Sequence, residues 1–140
     1  MLLEPGERGQ TDDTLRARLT AQAPGGSFDL VAEGDGSALI GWLAVEILPY
    51  RRARHVGYLV LGVDETAIGR GLGRGLLAAA VEESRTRDVR RLELTVMTDN
   101  LRAIGLYLRS GFEMEGVRRR AVLRGGALVD EYYMGRSIDG

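Results

Sequence analysis

Apolar positions recur along this chain with two different periods, and segments of the two kinds alternate. A spacing of two, or an unbroken apolar run, indicates strands over 28–32, 38–48, 55–63, 91–96, 112–122 and 127–138. Pro49 ends the second of these segments, and Gly125 and Gly126 fall where the last two join. Segments with helical spacing lie between several of the strands, so the pattern predicts an α/β fold.

Two of the helical segments carry recognisable start signals. The first covers about 12–23, is capped by Thr11 and has an apolar face formed by Leu15 and Leu19. The other begins at Asp99 or Asn100 and ends at Gly111, and its apolar face consists of Leu101, Ile104 and Leu108. Each predicted helix therefore has a side that can pack on a sheet.

The composition narrows the class of protein. A length of 140 residues with 44% hydrophobic content predicts a single domain over 1–140. The chain has no cysteine and a single histidine, His55, which excludes disulfides and argues against a metal site. All 19 basic residues are arginine, so Schiff-base chemistry and a lysine-dependent P-loop are excluded as well.

Charge and hydropathy bear on partners and location. The formal net charge is −1, and the arginine clusters at 51–54 and 118–120 are typical of solvated loops, so we expect no nucleic-acid partner. No segment approaches the roughly 20 apolar residues of a membrane span, and the first residues lack a signal-peptide pattern. We therefore expect a cytoplasmic protein that does not contact a membrane.

Four glycines open the remaining helical segment, whose apolar face is formed by Leu72, Leu76, Leu77, Ala80 and Val81. A helix start of this kind presents free backbone N–H groups and lets an anion approach closely. A dinucleotide fingerprint is disfavoured, because its third glycine would fall on Arg74 or Leu76. The glycines also suit a tight turn with no ligand, and the turn alone leaves both readings open.

The order of these motifs resembles the GNAT superfamily of N-acetyltransferases over about residues 12–136. A strand ending at Val63 is followed by Ile68-Gly69-Arg70-Gly71-Leu72-Gly73, similar to the family's Arg/Gln-x-x-Gly-x-Gly/Ala motif with isoleucine in its first position. A second match is Asn100-x-x-Ala103-x-x-Leu106-Tyr107, followed by Ser110-Gly111-Phe112-Glu113. The resemblance implies a central mixed β-sheet flanked by helices.

The same resemblance implies a coenzyme site and an activity. Acetyl-CoA would be the cosubstrate, with its pyrophosphate against the glycine turn and its pantetheine arm between the strands that end at Val63 and Val96. The coenzyme-binding residues implied are Leu61, Gly62, Val63, Ile68, Gly69, Arg70, Gly71, Leu72, Gly73, Arg74, Asn100 and Ala103. The finer pattern is similar to small bacterial L-amino-acid N-acetyltransferases, so the acceptor would be a small amine, with an amino acid favoured.

Two polar residues of the helix predicted to begin at Asp99 or Asn100 have both a structural and a functional interpretation. Tyr107 would donate to the leaving thiolate by the family resemblance, whereas its helical spacing from Ala103 is also typical of core packing. Asn100 would bind the pantetheine amides and can at the same time cap the helix, because capping uses only its side-chain oxygen.

The general base is not evident, because Tyr58 stands on the third strand where many family members place a glutamate. The candidates that the sequence offers are Glu46, His55, Glu93 and Asp130. A water held by backbone carbonyls, or capture of free amine from solution, would serve as well.

The beginning of the chain departs from the family pattern. Members usually start with a strand and a helix that this sequence lacks, so we expect six strands, with the strand over 28–32 at an exposed edge. An exposed edge recruits partners, which favours a homodimer.

Other classes of function remain open at this point. The same fold also acetylates protein N-termini or polyamines, and a non-catalytic module that only binds coenzyme A would share the glycine turn. Fold analogy cannot choose the acceptor.

Overall fold

The computed structural model describes residues 16–22, 26–34, 36, 38–64 and 71–139, with the backbone alone for 16–22. The strands are β1 Arg16–Gln22, β2 Phe28–Glu33, β3 Leu39–Ile47, β4 Val56–Val63, β5 Arg91–Met97, β6 Glu113–Arg124 and β7 Ala127–Ser137. The helices are α1 Leu72–Thr86 and α2 Leu101–Arg109, and a short 3₁₀ turn covers Arg51–Ala53. The α/β prediction is confirmed.

One mixed sheet contains all seven strands, in the order β1-β2-β3-β4-β5-β7-β6. Every neighbouring pair is antiparallel except β4 and β5, which run parallel because α1 forms the crossover between them. β7 inserts between β5 and β6, so the last hairpin places its second strand beside β5. The sheet therefore has one internal parallel junction, at β4 and β5.

The predicted helix over 12–23 is wrong in its described part. Arg16–Gln22 is a strand that pairs antiparallel with β2, from Arg16 opposite Glu33 to Gln22 opposite Phe28. Its sequence alternates polar and apolar residues with a period of two, and β2 offers it an unpaired edge. The expectations of six strands and of a β2 at an exposed edge are therefore wrong as well; the start of the predicted helix lies outside the described residues.

The core lies between one face of the sheet and the two helices. The most fully buried large side chains include Phe28, Leu30, Leu43, Leu59, Leu76, Leu77, Leu92, Leu94, Phe112 and Met134. These come from alternate positions of the strands and from one face of α1, as the sequence pattern predicts. Neither helix in the described part of the chain has the length and apolar character needed to cross a membrane.

Candidate active site

β4 and β5 separate after a short parallel junction. They pair only from Val56 opposite Arg91 to Tyr58 opposite Glu93, while β4 continues to Val63 and β5 to Met97. At the base of the split, the hydroxyls of Tyr58 and Thr95 are hydrogen bonded at 2.7 Å. The two strand ends therefore leave an opening in the middle of the sheet.

Several backbone groups point into this split. Asp64 N–H donates to Ile40 and Val56 C=O accepts from Leu48, so the even-numbered residues of β4 turn their backbone groups toward β3. The odd-numbered residues of β4, including Leu61 and Val63, then face β5. Thr95 of β5 faces β4 by the same alternation, because Thr98 N–H bonds to β7.

The N–H and C=O groups of Leu61, Val63 and Thr95 lie beyond the last β4–β5 pair. Backbone groups of this kind need a partner when they are removed from water. The split can therefore receive an extended ligand that carries amide groups, in the manner of an added strand.

The start of α1 lies beside the split and has an open backbone. Gly71 precedes the helix in the left-handed region, at φ 76°, and has no side chain to cap it. The first intrahelical bond runs from Gly75 N to Gly71 O at 3.1 Å, which leaves the N–H groups of residues 72–74 without a partner within the helix. An anion is the natural ligand of such a helix start.

α2 forms the other wall beside the split, and its N-terminus is capped by the side chain of Asn100. The side-chain oxygen of Asn100 accepts from Ala103 N at 3.2 Å. The two helices also contact each other, because a Cβ added to Gly73 would lie 2.7 Å from Cδ2 of Leu106. The glycine at 73 thus allows the start of α1 to approach α2 closely.

Tyr107 lies nearly two turns beyond Asn100 on the same side of α2, as the sequence spacing predicts. The residue is only 7% exposed and its ring meets the ring of Phe112 edge-on at 5.8 Å, yet it lines the cleft. No other described residue forms a hydrogen bond with its hydroxyl. Burial, with a smaller contribution from Tyr58, raises the pKa of Tyr107 to about 12, so the phenol keeps its proton at neutral pH.

These elements together enclose a cleft of about 780 Å³. Predicted site residues that line it are Leu61, Val63, Gly71, Leu72, Gly73, Arg74, Asn100, Ala103 and Tyr107. Gly62 does not line it: its backbone turns toward β3, and the indole of Trp42 covers its position, only 2.6 Å from where a Cβ would stand. Ile68, Gly69 and Arg70 lie outside the described residues.

None of the four sequence candidates for the general base lines the cleft. Glu93 is in an ion pair with Arg91 at 3.0 Å, and Asp130 accepts from Arg120 N at 2.8 Å. Glu46 and His55 are exposed outside it.

Glu131 is instead the one carboxylate that lines the cleft among the described residues. Glu131 lies on β7, opposite Met97 of β5, and its carboxylate accepts a hydrogen bond from Arg118 at 2.8 Å. The sequence did not indicate Glu131, because the position of β7 beside β5 depends on the strand order of the sheet. The second strand of the last hairpin inserts between β5 and β6. Thr95 was missed for a similar reason, since its alternating strand pattern does not reveal where β4 and β5 separate.

Comparison with known proteins agrees with this geometry. A sequence profile of the acetyltransferase (GNAT) family matches residues 2–112. The chain is 38% identical to the L-amino acid N-acetyltransferase AaaT of Escherichia coli (strain K12), over 79% of this chain and 68% of that protein. It is 36% identical to the N-alpha-acetyltransferase RimI of Mycobacterium tuberculosis, over 76% of this chain and 64% of that protein.

A solved structure gives the same result for the fold. The acetyltransferase of the GNAT family from Streptococcus pneumoniae superposes with a TM-score of 0.77 at 31% identity, covering 84% of this chain and 70% of that one. The chain thus spans about two thirds of the length of the curated relatives named above. Since the profile covers well over half of the sequence, the chain belongs to the acetyltransferase (GNAT) family.

Proposed function

We propose that this protein transfers an acetyl group from acetyl-CoA to the primary amine of a small molecule, with an amino acid as the favoured acceptor. The observation that carries the proposal is the meeting of three features in one cleft. They are a helix start with no side-chain cap, backbone groups of the split strands beyond the last β4–β5 pair, and a buried phenol whose hydroxyl bonds to no described residue. Each feature suits a different part of the same coenzyme.

The residues present fit acetyl-CoA. Its pyrophosphate suits the N–H groups of residues 72–74, assisted by the positive end of the α1 dipole. The amide groups of its pantetheine arm suit the backbone of Leu61, Val63 and Thr95. The Asn100 NH₂ remains free for the same arm, because only the side-chain oxygen is used in the cap.

Acetyl-CoA supplies an acetyl group activated as a thioester. Burial raises the pKa of Tyr107 to about 12, so its hydroxyl keeps its proton at neutral pH and can donate a hydrogen bond within the cleft. We infer that the hydroxyl stabilises charge on the leaving sulfur mainly as a hydrogen-bond donor.

Among the described residues, Glu131 is the group best placed to accept the proton of the amine. It lines the cleft beside the end of β5, and its ion pair with Arg118 fixes the carboxylate. A carboxylate there attracts a protonated amine and can accept its proton directly or through one water. The acetyl group then passes directly from sulfur to nitrogen, with both substrates bound together.

The acceptor is supported by likeness alone. AaaT, which acts on L-amino acids by its name, shares 38% identity with this chain and favours a free amino acid. RimI, an N-alpha-acetyltransferase, shares 36% and makes a protein N-terminus the second candidate. Polyamines are a further alternative, and a module that only binds coenzyme A is the non-catalytic one.

A thiol-release assay tests the proposal. Purified protein is given acetyl-CoA and, in separate reactions, each L-amino acid, spermidine, and short peptides with free or blocked N-termini. We expect release that depends on a free amino acid. Release with peptides alone would support the second candidate, and tight coenzyme binding without release in any reaction would contradict the proposed enzyme.

Three expectations about the protein's surroundings stay predictions: a cytoplasmic location, no nucleic-acid partner, and a homodimer. The homodimer has lost its original basis, because β1 covers the edge of β2 on which it rested. Sedimentation at high protein concentration would decide the oligomeric state.

A further inference from the structure

Two exposed arginines of α2 line the cleft and have no partner among the described residues. Arg102 and Arg109 are exposed and form no hydrogen bond or ion pair with any described residue, whereas Arg87, Arg91, Arg118 and Arg124 are all in ion pairs. They are seven positions apart, so they lie on the same side of the helix. Two free cations thus stand along one wall of the cleft.

The side chain of Arg109 folds back along the helix. A Cβ added to Gly105 would lie 3.1 Å from Nη1 of Arg109, so the guanidinium lies over the glycine. Residue 105 is one turn from residue 102. The Arg109 guanidinium therefore lies about one turn of α2 from residue 102, and both arginines line the same cleft.

The cleft differs from the rest of the chain in its charge. Among the described residues, its lining contains three arginines, at 74, 102 and 109, and one carboxylate, Glu131, which is bonded to Arg118. The whole chain, by contrast, has a formal net charge of −1. A positive cleft in a nearly neutral protein attracts anionic ligands locally.

The cleft offers anion-binding groups on both of its helices. The backbone N–H groups at the start of α1, with Arg74, already form a place for a pyrophosphate. The contact between Gly73 and Leu106 fixes α2 beside this start, so the arginines of α2 offer a second anionic site a short distance away. A ligand with two separate phosphate groups fits the pair of sites.

We propose that Arg102 and Arg109 bind the 3′-phosphate of coenzyme A and make the protein select the 3′-phosphorylated coenzyme over its dephospho form. This inference rests on the proposed function, since coenzyme A is the ligand that carries both a pyrophosphate and a separate phosphomonoester. Arginine suits the phosphomonoester because its planar guanidinium donates two parallel hydrogen bonds.

Calorimetry with coenzyme A and 3′-dephospho-coenzyme A tests the proposal without catalysis. We expect the unmodified protein to prefer coenzyme A by on the order of tenfold or more at low salt, and the preference to shrink as salt screens the charges. In the double variant Arg102→Gln/Arg109→Gln, both ligands should bind with the weaker affinity of the dephospho form.

A matched control removes the same charge elsewhere. Arg51→Gln/Arg52→Gln changes two exposed arginines that do not line the cleft, and it should keep the full preference. Equal affinity of the unmodified protein for both ligands, or a preference that survives in Arg102→Gln/Arg109→Gln, would overturn the inference and leave the proposed function standing. Failure of both ligands to bind would instead contradict the proposed function itself.

Discussion

The two helices that border the cleft begin in opposite ways. α1 follows Gly71, which offers no side chain, so the backbone N–H groups of its first turn remain available. α2 follows Asn100, whose side-chain oxygen accepts a hydrogen bond from the N–H of Ala103. α1 can thus bind a ligand through backbone N–H groups, whereas α2 has a capped start and can contact a ligand through its side chains.

This difference determines which substitutions should matter. On α2, the loss of a functional group should impair the protein, because Tyr107, Asn100 and the two arginines act through their side chains. At the start of α1, added bulk or charge should do the damage, because the N–H groups there are present whatever the residue.

Removing the hydroxyl of Tyr107 should give the largest loss of activity. In Tyr107→Phe we expect kcat to fall on the order of 10²-fold or more, because charge on the leaving sulfur loses its donor. The melting temperature should change little, since the contact with Phe112 remains and the hydroxyl bonds to no described residue. Both quantities are measured on one preparation.

Tyr133→Phe is the control for this variant, because Tyr133 is 46% exposed and does not line the cleft. It should retain normal turnover. A Tyr107→Phe protein with unchanged kcat would remove Tyr107 from the mechanism and leave it a core residue.

Added bulk at the start of α1 should weaken coenzyme binding. Gly71→Val places a branched side chain in the anion's path. It also forces valine into the left-handed conformation that Gly71 adopts, which costs about 1–3 kcal/mol of stability. Arg74→Glu leaves the backbone unchanged and puts a negative charge in the first turn, which suits the helix dipole but repels phosphate. We expect at least tenfold weaker binding of coenzyme A in both, measured by calorimetry.

The two variants are informative together, because Gly71→Val should lower the stability and Arg74→Glu should raise it, while the affinity for coenzyme A should fall in both. Normal affinity in Arg74→Glu would argue against a phosphate at this helix start. Gly73→Val should also weaken binding, but its side chain would collide with Leu106 and separate the helices, so it tests packing as much as ligand access.

Two substitutions separate the structural role of Asn100 from its binding role. Asn100→Ala removes the cap and should cost about 1 kcal/mol of stability. Asn100→Asp keeps the accepting oxygen and should keep the stability, but it loses the NH₂ donors. If those donors bind the pantetheine arm, calorimetry will show weaker coenzyme binding in both variants; normal affinity in Asn100→Asp would limit Asn100 to capping.

The smallest effect should come from the residue before that cap. Asp99 bonds to the guanidinium of Arg124, which lowers the pKa of the Asp99 carboxyl. A lowered folded-state pKa stabilises the protein above the carboxyl's unfolded value, and this contribution disappears as the pH falls through the folded value. Because the pair is fully exposed, salt and water weaken it strongly.

We therefore expect Asp99→Asn to melt slightly below the unmodified protein at pH 7 and together with it at an acid pH below the lowered pKa of the Asp99 carboxyl. A difference that persists at acid pH would mean that Asp99 acts through something other than its charge. Melting curves at both pH values, at low and high salt, provide the measurement.

Local patterns determined much of this protein. The strands from Phe28 onward and both described helices follow from periods of two and 3.6. A cap at Asp99 or Asn100 and glycines at the start of α1 were also predicted from the sequence. These features depend on residues that are close in sequence, so their physical causes can be recognised there. The family could be predicted for the same reason, because its motifs are short and contiguous.

Tertiary structure decided the features that depend on which strands meet. Arg16–Gln22 fits either a short helix or a strand by its own pattern, and the free edge of β2 makes it a strand. The separation of β4 and β5 after Tyr58, the arrival of Glu131 in the cleft and the exclusion of Gly62 by Trp42 all arise between residues far apart in the chain. Such contacts are set by sheet order and packing, and a local pattern of side chains does not specify them.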